Sequence, residues 1–226
     1  MAGRRSLTSD EEQRLLLVVR KLSPRDRALV TAQWTTGFRI SEILRWTIGT
    51  IYRNGQLATQ VGLPPRSMKG GYGRTRWVPI LPELQHALES YLGWMRRRWE
   101  LTKDLPLFLS RENDAEGNAR AVSCDMARHI VKDAFALAGI EDDGRLGTHT
   151  LRKTWARKVY EASGHDIMIV SAGLNHSSIA VTQKYLEPDE EEVAAAMLSC
   201  DLSRRGRPRL HVVSGRTKQL PAVGVA

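Results

Sequence analysis

Cysteine is scarce in this chain of 226 residues: Cys124 and Cys200 stand alone and far apart. Neither falls in a CxxC or metal-ligand spacing, so both read as reduced thiols of a cytoplasmic protein. No run of about 18 apolar residues occurs, so no membrane span is expected. The start, Met1 to Ser6, lacks the apolar stretch of a signal peptide. There is no G-x-x-x-x-G-K-[ST] loop, and nucleotide hydrolysis is not implied. HExxH motifs are also missing, no tight Asp/Glu cluster lies among the candidate motifs, and the acidic run Glu187–Glu192 reads as helix-start charge, so neither a metal nor a cofactor is expected. No internal repeat is present.

Basic charge is abundant. The formal net charge is +9, which favours anionic partners, nucleic acid first. Six of those charges (Arg204, Arg205, Arg207, Arg209, Arg216 and Lys218) fall in residues 203–226, where no acidic residue occurs. The remaining 202 residues therefore carry only +3. Binding of DNA by the body would need a local basic face. Residues 203–226 are Gly/Pro-punctuated and without periodicity, and are expected to form a disordered basic tail.

Most of the chain reads as helix. Ser9 and Glu12 have the spacing of a capping box, followed by Leu15, Leu16, Val19 and Leu22 at helical intervals. Ser23-Pro24 opens a second helix that should stop at Gly37. Ser41 is placed to cap a short third. Further helices are predicted over 82–99, 123–138, 149–163, 166–173 and 179–186, and a last one from Pro188-Asp189, with Glu190–Glu192 at the positive end of its dipole. Between them, Thr47–Arg53, Gln56–Gly62 and Thr75–Ile80 read as strands, the first two joined by Asn54-Gly55. Pro79 makes the third an edge strand. Pro64–Arg74 is a Pro/Gly-rich loop containing Lys69, and Arg111–Ala121 is polar and loop-like. The fold class is α+β, mainly α-helical, with a small three-stranded antiparallel sheet.

The residues that carry chemistry lie in three stretches: Thr36-Gly37-Phe38-Arg39-Ile40-Ser41-Glu42, Thr148-His149-Thr150-Leu151-Arg152, and Leu174 to Tyr185 with a histidine nine residues before the tyrosine. A phenol, with an ordinary pKa near 10, is a poor nucleophile unless positive charge stabilises its anion. Guanidinium groups match phosphate bidentately, and Arg39 and Arg152 could hold both non-bridging oxygens. His149 and Arg152 share one helical face. His176 could donate to the same phosphate. Lys69 could protonate a leaving 5′-oxygen, and Gly70, Gly71 and Gly73 would let its loop reshape. Glu42 could orient Arg39 or serve only as a helix-start charge. Each residue alone has an ordinary reading as a core, turn or surface residue; the order and spacing of the set give it weight.

In that order and spacing the chain resembles the tyrosine recombinase (phage integrase) family over roughly residues 8–200. The resemblance rests on Thr36–Leu44, Lys69 before Arg76-Trp77-Val78-Pro79, His149–Ala156, Leu174–Ser178 and Thr182–Tyr185. It implies a catalytic domain over 1–202. Tyr185 would attack the scissile phosphate to form a 3′-phosphotyrosyl link. Arg39, Arg152 and His176 would bind the non-bridging oxygens. Lys69 would be the general acid, and His149 would assist proton transfer. The implied partners are double-stranded DNA, three further copies of the chain in a tetramer docked through helix 189–199, and an accessory DNA-binding protein. Neither metal nor cofactor is implied.

Asn175 stands where the family usually has glycine. About seven residues precede the first helix, so an N-terminal core-binding domain is not expected within this sequence. Binding to a linear duplex should then be weak and salt-dependent, with the basic tail as a non-specific phosphate contact. Type IB topoisomerase-like relaxation of DNA and a non-catalytic DNA-binding relative remain alternative readings.

Overall fold

The structure is a computed structural model in which residues 4–53, 55–64, 75–113, 117–188 and 190–199 are described. Lys69 with its loop, Asn54, Cys200 and the basic tail lie outside the described residues. The chain divides into two compact units after Glu187.

The first unit is organised around one helix. α1 (Ser9–Val19) starts from Thr8, whose Oγ1 accepts from Glu11 N at 3.3 Å while Glu11 Oε2 accepts from Thr8 N at 2.9 Å. The expected box at Ser9 and Glu12 is therefore one residue too late. The reason is tertiary. Glu11 also takes a bidentate grip from Arg5 at 2.7 Å, and Glu12 accepts from Trp34 Nε1 and Lys158. α2 (Pro24–Thr36) is capped by Ser23 and ends at Gly37 in the left-handed conformation, φ 61°. It is buried almost all round from Ala28 to Thr36, as befits a helix covered on every side. It packs against α5 (Pro82–Met95) and α7 (Thr148–Ala162).

Two short helices follow α2: α3 (Ile40–Ile43) and α4 (Ile48–Ile51). Most of the expected first strand is thus a helical turn. β1 (Tyr52–Arg53) pairs with β2 (Gln56–Leu57) across a two-residue turn, and β3 (Gln60–Leu63) pairs with β4 (Arg76–Pro79). Both pairs are antiparallel. The expected three-stranded ladder is divided into two hairpins, because its middle strand breaks at Ala58-Thr59. Ala58 N turns to Ile51 O, and Thr59 O accepts from Ile80 N. Arg111–Ala121 is not simply loop: β5 (Leu109–Asn113) pairs with β6 (Ala119–Ala121) through an irregular register. Its polar, non-alternating sequence hid that hairpin.

α6 (Cys124–Leu137) completes the main core, in which Phe38, Trp46, Tyr91 and Phe108 form a buried aromatic cluster. A second, smaller cluster of Ala156, Val170 and Leu174 fastens α8 (Ile167–Leu174) and α9 (Ile179–Leu186) to α7. Asp166 caps α8 through bonds to Met168 N and Ile169 N. α10 (Glu190–Ser199) belongs to the second unit, with Met197 and Leu198 exposed. Among the described residues no helix is long and apolar enough to cross a membrane.

Candidate active site

The site is assembled on the C-terminal end of α2. A helix leaves its last carbonyls without partners. Here three successive ones are met from elsewhere: Thr35 O accepts from Trp155 Nε1 at 3.1 Å, Thr36 O from Arg76 Nη2 at 2.7 Å, and Gly37 O from Arg152 Nη1. Cationic donors suit this end of the helix dipole. Gly37 is required twice over. Its φ is positive, and a Cβ there would lie 2.5 Å from the Trp155 ring.

Arg39 precedes α3 and is half-buried. Glu42 serves both roles its position suggested. Its Oε2 accepts from Arg39 N at 2.7 Å, which starts α3, and its Oε1 accepts from the Arg39 guanidinium at 2.9 Å. Buried Glu42 also lies 3.9 Å from Arg152 Nη1, so one carboxylate stands between the two arginines.

Arg152, on α7, is fully buried. Its Nη2 donates to Leu174 O at 3.0 Å and contacts His176 Nε2 at 3.2 Å. The Tyr185 ring covers it, with the guanidinium carbon 5.6 Å from the ring centroid. Burial, then the Arg39 charge, lower its pKa; it remains a cation at neutral pH.

Asn175 places His176. It ends α8 at φ 52°, a left-handed conformation that asparagine tolerates better than most residues. Asparagine, standing where the resemblance expects glycine, thus fits this turn. His176 Nδ1 lies 3.0 Å from Thr182 Oγ1. Arg152 can only donate, so Nε2 accepts and the ring proton sits on Nδ1, pointing to Thr182. Burial, followed by the charges of Arg152, Arg39 and Arg76, pushes the His176 pKa down to about 4. His149, near the start of α7, is exposed at the rim. The protein packed about its ring, then Arg152 and Arg39, lower its pKa as well. Its Nδ1 is 3.5 Å from Tyr185 Oη, and the Tyr185 ring is 5.1 Å from that of His176.

Five of the six expected site residues, Arg39, His149, Arg152, His176 and Tyr185, therefore share one locality. The sixth, Lys69, lies outside the described residues. Three neighbours were missing from the expected set or held only an open role: Glu42, Arg76 and Thr182. Thr182 could have been found from its place one turn before Tyr185 on the same helical face. Among the described residues no group of three His, Cys, Asp or Glu could hold a metal ion. The arrangement suits a nucleophilic phenol beside a neutral imidazole and a cationic phosphate pocket.

Comparison with known proteins places the chain in one family. The Phage integrase family matches residues 5–192. Tyrosine recombinase XerA of Pyrococcus furiosus is 32% identical over 200 residues, covering 88% of this chain and 62% of that protein. Tyrosine recombinase XerC of Rhodospirillum centenum is 29% identical over 169 residues, covering 75% and 44%. The crystal structure of XerA recombinase superposes with a TM-score of 0.67 at 25% identity, over 91% of this chain and 65% of that one. A XerH recombinase bound to difH substrate, in a pre-cleavage complex, shares the fold with a TM-score of 0.63 at 22% identity, over 87% and 55%. This chain thus spans 44% to 62% of the length of these two sequence relatives. With the family match running over residues 5–192 and the fold shared, the chain belongs to the phage integrase family.

Proposed function

We propose that this chain carries the strand-cleavage and rejoining centre of a site-specific DNA recombinase. The observation that carries the reading is the convergence of Arg39, Arg152 and His176 beside the Tyr185 hydroxyl. Tyr185 Oη attacks the scissile phosphorus and passes its proton to the neutral His149. The P–O bond to the 5′-oxygen breaks, leaving a 3′-phosphotyrosyl link and a 5′-hydroxyl protonated by Lys69. The reverse sequence, with a 5′-hydroxyl from a second strand, rejoins DNA. Because the link conserves the phosphodiester, neither metal nor nucleotide is consumed.

Arg39 and Arg152 hold the non-bridging oxygens. Substrate entry shifts the Tyr185 ring off Arg152, whose guanidinium is otherwise covered. His176 donates to the same phosphate only after gaining a proton at Nε2, which the anion itself favours. The partner is double-stranded DNA; a XerH recombinase of the same fold is bound to its difH substrate. Strand exchange takes place in a tetramer joined through helix 189–199, whose Val193, Met197 and Leu198 are exposed. An accessory DNA-binding protein assists it. The reaction runs in the cytoplasm, in a catalytic domain over 1–202, with the basic tail of 203–226 on phosphates.

The test is a pool of duplexes of randomised sequence, each carrying a nick that lets the cleaved fragment escape. Denaturant-resistant protein–DNA adduct is expected with the wild type, and none with Tyr185→Phe. Adduct surviving in Tyr185→Phe would reassign the nucleophile. Sequencing the captured DNA identifies a duplex for kinetic work.

A further inference from the structure

Arg76 is the unexplained charge of this site. It lies on β4, where Val78 faces the core and Trp77 faces outward, so the alternation of the strand carries Arg76 inward. Only 6% of it is exposed. Among the described residues no carboxylate lies within ion-pair distance of it, and its Nε has no hydrogen-bond partner. One hydrogen bond, to Thr36 O, holds the guanidinium, which rests 4.1 Å from the Phe38 ring centroid and 5.7 Å from that of Trp155. Burial, then the Arg152 charge, lower its pKa to about 9. Such a residue is costly to the fold, and an apolar side chain of similar length would suit the position at least as well.

What Arg76 touches gives the charge a use. Phe38 is bonded directly to Arg39. Trp155 is one helical turn from Arg152 on α7. Thr36 O is the carbonyl next to the one that Arg152 grips. A single planar group therefore contacts the carriers of both phosphate-facing guanidiniums and the helix end on which they meet.

We propose that Arg76 is a positioning residue of the phosphate pocket: its guanidinium plane, set against Phe38 and Trp155 and bonded to the end of α2, fixes the spacing of Arg39 and Arg152. This rests on the DNA-cleavage reading of the site. Misplacing catalytic groups by about 1 Å costs on the order of 100-fold in rate. A lysine supplies a charge of similar reach but no plane, so it does not substitute.

The experiment uses the full chain and the nicked duplex selected from the randomised pool. Single-turnover adduct formation, DNA affinity and thermal melting are measured together. Arg76→Met is expected to melt at or above the wild-type temperature and to bind DNA within about 3-fold of wild type, yet to cleave roughly 10- to 100-fold more slowly. Arg76→Lys should lose a comparable factor. In an Arg39→Lys background, where the spacing is already lost, Arg76→Met should cost less than about 3-fold more.

An undiminished rate in Arg76→Met overturns the inference, as does a full loss on top of Arg39→Lys or rescue by Arg76→Lys. Should Arg76→Met fail to fold, Phe38→Leu decides, since it keeps Arg76 but removes the ring beneath it. An unchanged rate there overturns the inference, and a fall of 10-fold or more supports it. A wild-type chain that forms no adduct overturns the cleavage reading and this inference with it, whereas wild-type adduct with unaffected variants overturns the role of Arg76 alone.

Discussion

His176 should make the protein acid-sensitive in a way that can be isolated from every other titrating group. Its folded pKa is about 4 against an ordinary 6.5. Between those values the unfolded chain binds a proton at this position and the folded chain does not. Stability is therefore unaffected above pH 6.5 and falls as the pH drops toward 4. Linkage sets the size: at pH 5 the loss is about 2 kcal/mol, approaching about 3 kcal/mol below pH 4. The ring is half-buried, and solvent screening reduces these figures somewhat.

The assay is urea unfolding of the wild type and His176→Gln at pH 7.5 and pH 5, in buffers without phosphate or sulfate. An anion in the pocket would offset the arginines that depress this pKa. The wild type should lose about 2 kcal/mol more than the variant over that interval. His149 is shifted in the same direction but is present in both chains, so it cancels. A double difference under about 0.5 kcal/mol would refute the claim that burial and the charges of Arg152, Arg39 and Arg76 hold His176 neutral.

Two further substitutions probe the geometry. Gly37→Ala places a Cβ in the Trp155 ring and in the left-handed region, and should cost about 2–4 kcal/mol in thermal or urea denaturation. A loss under about 1 kcal/mol would mean that the end of α2 can relax. Thr182→Val keeps the volume but removes the oxygen that holds His176 Nδ1. Single-turnover adduct formation should slow by about 10-fold, the lower end of the usual effect of losing such a supporting bond, with little change in melting temperature.

The sequence made much of this site legible, because its chemistry is carried by residue types at fixed local intervals. His149 and Arg152 share a helical face, and the turn at Asn175 with the helix after it sets the interval from His176 to Tyr185. Those are local rules. Thr8 could not be told from Ser9 as the cap, since Arg5 decides which glutamate serves the helix end. The break at Ala58-Thr59 answers to backbone partners in Ile51 and Ile80, which no period-2 pattern announces. Arg76 was hidden by polarity: hydrophobicity argues for Trp77 inside and Arg76 outside. The clue was parity, because Val78 in the core commits every second residue of β4 to the same side. What such a buried arginine does depends on Thr36, Phe38 and Trp155 meeting there, which is a fact of packing.

The charge balance of the site bears on why the proposed reaction would be accelerated and its substrate not merely bound. At neutral pH, Arg39, Arg76 and Arg152 are cations, Glu42 is the carboxylate among them, and both histidines are held neutral. The described residues at the pocket therefore carry a surplus of two positive charges. A phosphodiester brings one negative charge, and its five-coordinate transition state brings two. That surplus meets the negative charge that develops between the two, so the pocket favours the transition state over the ground state. One unit of charge developing about 5 Å from a guanidinium gains roughly 3 kcal/mol at an effective dielectric of about 20, or about two decades of rate. A second carboxylate in the pocket would erase that difference. Three arginines set against one glutamate leave a positive surplus for the charge that develops in the transition state.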